Sequence, residues 1–82
     1  MELTWQETAK GTALRIQVDG KHVSFYPYEL VEPERVAAIA ALSLWEGMAG
    51  LPPRSLVARW LWRRGLRKLQ HEIARELKDV GA

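Results

Sequence analysis

The sequence predicts an α+β fold in which an antiparallel β-hairpin or three-stranded meander precedes two or three α-helices, in the order β-β-β-α-α. Three observations lead there: apolar residues alternate with period two over the first third of the chain, Asp19-Gly20 sits in the middle of that stretch, and helical periodicity takes over from Pro33. With 82 residues there is room for one domain over 1–82, because short chains bury proportionally little of their surface.

The Asp19-Gly20 pair supplies positive φ at two successive positions at little steric cost, so a two-residue type I′ turn is expected there. That turn fixes a register: Val18 opposite Lys21, Gln17 opposite His22, Ile16 opposite Val23, Arg15 opposite Ser24 and Leu14 opposite Phe25. Leu14, Ile16, Val23 and Phe25 then share a core face, while Arg15, Gln17, His22, Ser24 and Tyr26 share a wet one. Leu3 and Trp5 alternate with Glu2, Thr4 and Gln6, which predicts a third strand joined through a turn near Lys10-Gly11.

Pro27 ends the hairpin, and Pro33 stands where a first helical turn accepts it, followed by an acid and an apolar stretch. A helix is expected from about Pro33 to Met48. From Val36 to Trp45 it is apolar around nearly its whole circumference, so it should be buried on several sides. Gly47, Gly50, Pro52 and Pro53 end it. Over residues 54–80, a wheel at about 100° per residue puts Ala58, Leu66, Leu69, Ile73, Leu77 and Val80 within about 60° of Trp62, as one continuous helix requires. Gly65 lies on the same stripe, where it lets a neighbour approach closely or marks a kink that would make two helices. Trp5, Trp62 and Phe25 read as core.

The formal net charge is only +2, but it is unevenly spread. Residues 1–53 hold Lys10, Arg15, Lys21 and Arg35 against seven acids, whereas residues 54–82 hold eight Lys or Arg against Glu72, Glu76 and Asp79. On the wheel, Trp60, Arg63, Arg64, Arg67, Lys68, His71, Arg75 and Lys78 lie opposite the apolar seam. With Arg59 at its start, this set forms a basic ridge. Lys and Arg release condensed counterions on meeting phosphates, and an aromatic such as Trp60 can stack on an unpaired base, so nucleic acid is a natural partner. Solvation alone also produces charged helix faces, and Lys68 and Glu72 have the spacing of an i, i+4 pair. The preference for Arg over Lys leans towards planar, multi-donor contacts. A second cluster, Tyr26, Tyr28, Glu29 and Glu32, reads as an acidic, aromatic interface for a partner protein or for the ridge of another copy in a homodimer.

Other chemistries find no support. Without Cys there is no disulfide, and the acidic N-terminus is unlike a secretory signal, so a cytoplasmic protein is expected. The Val36 to Trp45 run is half of the ~20 residues that span a bilayer. The segment from Trp60 to Leu69 resembles interfacial peptides, but its apolar face is needed for the core, so no membrane partner is expected. His22 and His71 are too few and too scattered for a metal site, and His71, among cations, reads as part of the ridge rather than as a general base. Glu72 and Glu76 are one turn apart, yet so short a chain can hardly enclose a pocket around them. Neither catalytic residues, a cofactor nor a small-molecule substrate is expected.

The expectation is therefore a small non-enzymatic, stoichiometric binder that docks on nucleic acid or on a protein complex that handles it. Two alternatives stand beside it. One is a phage- or mobile-element-encoded inhibitor of a host protein, of the kind that blocks defence complexes by protein contact, an expectation by analogy of size and composition. The other is a structural dimer or assembly subunit.

Overall fold

The structure is a computed structural model and describes residues 1–81. The domain expected over 1–82 reaches Ala82, which lies outside the described residues. The chain folds as β1 (Glu2–Thr8), β2 (Gly11–Val18) and β3 (Lys21–Phe25), then a 3-10 turn (Pro27–Val31), α1 (Pro33–Ala49) and α2 (Leu56–Gly81). This is the expected α+β, β-β-β-α-α architecture.

The three strands form an antiparallel meander with β2 in the centre. Asp19 has φ 48° and Gly20 φ 80°, the two positive values that a type I′ turn needs, and all five pairs of the expected β2–β3 register form. The β1–β2 hairpin pairs Thr8 with Gly11 and Trp5 with Leu14; the Thr8 hydroxyl donates to the Gly11 carbonyl at 2.6 Å. Gly11, at φ 119°, occupies backbone space that only glycine enters without strain.

Because β2 is flanked on both sides, its inward residues Leu14 and Ile16 are fully buried, whereas β1 and β3 contribute the half-buried Leu3, Val23 and Phe25. Both helices cover this face. α1 brings Val36, Ala37, Ala40, Ala41 and Leu44, and α2 brings Leu69, Ile73 and Leu77. The expected burial of α1 on several sides is corrected. Val36, Ala37, Ala40, Ala41 and Leu44 form one broad buried face, where the alanines let the neighbours approach closely, while Ile39 and Leu42 on the other side are exposed because no element covers them. Each fully buried Leu or Ile contributes about 1.5–3 kcal/mol.

The expected boundaries shift at three places. The segment after Pro27 is a 3-10 turn, held by the Tyr26 N–H donating to the Glu29 carboxylate at 2.7 Å. α1 stops at Gly50, whose positive φ of 77° and N–H bond to the Glu46 carbonyl terminate it. α2 begins two residues later than expected, because Ser55 caps it: the Ser55 carbonyl accepts from Arg59 N–H at 2.8 Å and its hydroxyl from Ala58 N–H at 3.4 Å.

Gly65 does not break α2, which is one continuous helix. Its missing side chain makes room for Trp45: a Cβ there would lie 2.5 Å from two carbons of that indole ring. Trp45 and Trp62 meet edge to face at 6.5 Å, and the Trp62 indole N–H donates to the Gly50 carbonyl at 3.0 Å. At the other end of the pair, Lys78 reaches Glu34 at 3.1 Å. These contacts set the helices antiparallel, with the start of α2 overhanging the end of α1.

Two core assignments are corrected. Trp62 is half-buried against Trp45 and lies outside the buried core, because it sits near the start of α2, where the sheet no longer faces it. Trp5 points to the helix side of the sheet but is 49% exposed, because β1 is an edge strand over which neither helix extends far enough to close.

Candidate functional site

α2 has 26 residues and α1 has 17, so roughly 13 Å of α2 has no helix beside it. Since Lys78 faces the start of α1 and Trp62 its end, the excess falls on the first turns of α2. Leu56, Val57, Trp60 and Leu61 are consequently exposed, Leu56 to 81% and Trp60 to 60%. The exposed face of α2 thus changes along its length. It is apolar over the first two turns and cationic from Arg63 onward.

The ridge residues Arg63, Arg64, Arg67, Lys68, His71 and Arg75 are all exposed, and among the described residues none is in an ion pair. The expected Lys68–Glu72 pair does not form; Glu72 and Glu76 are half-buried along the flank of the helix. Two members of the ridge are committed elsewhere. Lys78 is taken by Glu34, and Arg59 is half-buried, its Nε donating to the Pro53 carbonyl at 3.1 Å. That bond ties the Pro52-Pro53 turn to α2 and leaves the terminal nitrogens of Arg59 for an external partner.

The concentrated part of the ridge is a groove of about 450 Å³ lined by Leu56, Arg59, Trp60, Arg63, Arg64 and Arg67. Successive helical turns produce it, since positions 56, 59/60, 63 and 67 fall on one side of the helix. The Arg64 guanidinium carbon lies 5.5 Å from the centre of the Trp60 ring, a cation–π contact that holds both side chains at the surface. Four arginines thus line one groove with an exposed indole, and no carboxylate lines it. Further along α2, His71, Arg75 and Lys78 line a second depression with Glu34, where the acid offsets part of the charge.

The acidic, aromatic cluster also comes together, at the opposite end of α1. Tyr26 and Tyr28 stack with ring centres 5.9 Å apart and planes within 4°, and Tyr28, Glu29 and Glu32 line a cleft of about 330 Å³ with Phe25, Val31, Arg35 and Ile39. Glu29 is less available than its sequence position implies, because its carboxylate holds the Tyr26 N–H. Glu32 remains exposed.

Sequence reasoning missed Leu56, Val57 and Leu61 as neighbours of the ridge. Their signal was present, since all three fall outside the Trp62 stripe, but nothing in the sequence says where the covering helix ends. Among the described residues no helix is long and apolar enough to cross a membrane, and no three metal-ligating side chains gather. No protein-family model, curated protein or solved structure matches this chain.

Proposed function

We propose that this chain is a cytoplasmic, non-enzymatic binding protein that docks stoichiometrically on nucleic acid through the Leu56–Arg67 groove and the cationic face that continues from it. The observation that carries the reading is four arginines lining one groove with the exposed Trp60, with no intramolecular carboxylate to neutralise them. A guanidinium presents planar, paired donors that match phosphate oxygens, and Arg59, Arg63 and Arg67 present theirs one helical turn apart. Trp60 supplies a ring face on which an unpaired base can stack, worth about 1–3 kcal/mol per base. Single strands are therefore the favoured partner, since a duplex keeps its base faces covered. Lys68, His71 and Arg75 extend the track along α2.

The test is fluorescence anisotropy of labelled single- and double-stranded oligonucleotides at two salt concentrations. Binding should be tighter for the single strand and weaken steeply with salt; four phosphate contacts give a slope of about −3 in log K against log salt. Trp60→Ala should reduce the preference for single strands, while Arg63→Glu with Arg67→Glu should abolish binding to both. Absence of binding even at low salt would sink the reading.

A second reading has its own observation. Leu56, Val57 and Leu61 expose apolar surface beside the arginines, and phosphates have no use for it. An acidic protein surface with apolar pockets would use both, as expected of an inhibitor that occupies the nucleic-acid channel of a host complex. Leu61→Ala then weakens binding to such a complex and leaves oligonucleotide affinity unchanged.

A further inference from the structure

The second surface of interest is the free edge of β1, and its hydrogen-bonding polarity follows from the two turns. In a type I′ hairpin the residues flanking the two-residue loop exchange backbone bonds, so Val18 pairs in this way with Lys21, and with period two Ile16 and Leu14 also aim their backbone groups at β3. Ala13, Arg15 and Gln17 must then aim theirs at β1, where their partners are Gln6, Thr4 and Glu2. That leaves the N–H and C=O groups of Leu3, Trp5 and Glu7 pointing outward along the open edge.

This edge has few of the usual protections, its charges being Glu2 and Glu7 near its two ends. It is seven residues long, carries no Pro, and has no Lys between Glu2 and Thr8. The other edge of the sheet is different: β3 has five residues, begins with Lys21 and His22, and is followed by Pro27. Beside the open edge lies an apolar cleft of about 400 Å³ lined by Trp5, Leu14, Leu30, Val31, Leu77 and Val80, among others, with the half-exposed Trp5 as its outer wall.

We propose that the β1 edge pairs with the β1 edge of a second copy, antiparallel about a two-fold axis through Trp5, to make a continuous six-stranded sheet. The register is self-complementary. Trp5 meets Trp5 of the second copy, Leu3 meets Glu7 and Glu7 meets Leu3, so all three outward residues of each strand find backbone partners. No like charges stand opposite one another. Glu2 meets Thr8 and lies next to Lys10 of the second copy, an opposite-charge pair at each end of the seam. The two Trp5 rings lie side by side on the helix-covered face and close over both apolar clefts. Shifting the axis to Thr4 would still pair Leu3 with Trp5, but it would set Glu7 opposite Met1, outside the strand, and so leave one outward residue of each copy without a strand partner.

The pairing is independent of the nucleic-acid reading, since α2 takes no part in it. The experiment is sedimentation equilibrium over a wide concentration range, together with residue-resolved amide exchange. The expected mass rises from 9.4 kDa to twice that value. The amides of Leu3, Trp5 and Glu7 become protected as it does, while those of Thr4 and Gln6 are protected at every concentration. Trp5→Lys points a charge into the seam, and Glu7→Pro removes an N–H that the single chain does not use; each should raise the dissociation midpoint about tenfold or more, with the monomer's circular dichroism retained. A mass that stays at 9.4 kDa up to millimolar concentration overturns the proposal. So does a dimer in which the amides of Leu3, Trp5 and Glu7 exchange freely, or one that dissociates on Arg63→Glu with Arg67→Glu but not on the β1 substitutions. Should a β1 variant fail to fold, exchange in the wild-type chain decides.

Discussion

The two halves of α2 share one helix and one backbone geometry but have opposite fates. From Leu66 to Leu77 the helix lies over the sheet and beside α1, and Leu69, Ile73 and Leu77 are buried. From Leu56 to Arg64 it overhangs the end of α1, and four large apolar residues remain in solvent. The overhanging half is held by a few specific contacts: Trp62 against Trp45, the Trp62 bond to Gly50, and the Arg59 bond to Pro53. Helix length beyond the reach of a partner is thus what converts a core-forming element into a presenting one.

The sharpest way to break that contrast is to truncate one apolar residue in each half. Ile73→Ala should cost about 2–5 kcal/mol and, in a domain whose whole stability is about 3–5 kcal/mol, leave a largely unfolded population in urea titrations followed by circular dichroism. Leu61→Ala should change stability by no more than about 0.5 kcal/mol. If the two were equal, the overhang would be part of the core.

Gly65 marks the boundary between the halves, and Gly65→Ala tests it. Helix propensity favours alanine by about 1 kcal/mol, but the added Cβ would press into the Trp45 ring, and overpacking of this kind costs about 1–3 kcal/mol. The net expectation is a lower melting temperature; a higher one would mean that the contact with Trp45 is loose. Trp62→Phe keeps the ring contact and deletes the bond to the Gly50 carbonyl, for a loss of about 1 kcal/mol in the same melt. Smallest of all, Lys78→Met removes an exposed ion pair with Glu34 and should cost less than about 0.5 kcal/mol in the same melt, a difference that shrinks further as salt is added.

What the sequence made legible was local. The Asp19-Gly20 turn dictates its own register, and the apolar stripe through Trp62 identifies the buried side of α2, because both depend on residues a few positions apart. Trp5 was misread as core for the opposite reason. Alternation tells which face a strand residue occupies, but its burial depends on how far the helices extend over an edge strand. The ridge shows the same division. Its residues could be grouped from the helical repeat, yet the withdrawal of Arg59 to Pro53 and of Lys78 to Glu34 depends on where a turn and another helix come to lie. Glu29 was visible as a charge but not as a cap, since nothing in its spacing distinguishes a 3-10 turn from a loop.

The meander also bears on how quickly the chain reaches this fold. Each strand pairs with its neighbour in sequence, and both hairpins close over two residues, Ala9-Lys10 and Asp19-Gly20. The longest separation to be closed is that between α2 and β2, since α1 lies nearer to the sheet in sequence. The largest loop-closure entropy is therefore incurred late, against a sheet and helix already formed from more local contacts, and such a topology belongs with the faster-folding mixed domains.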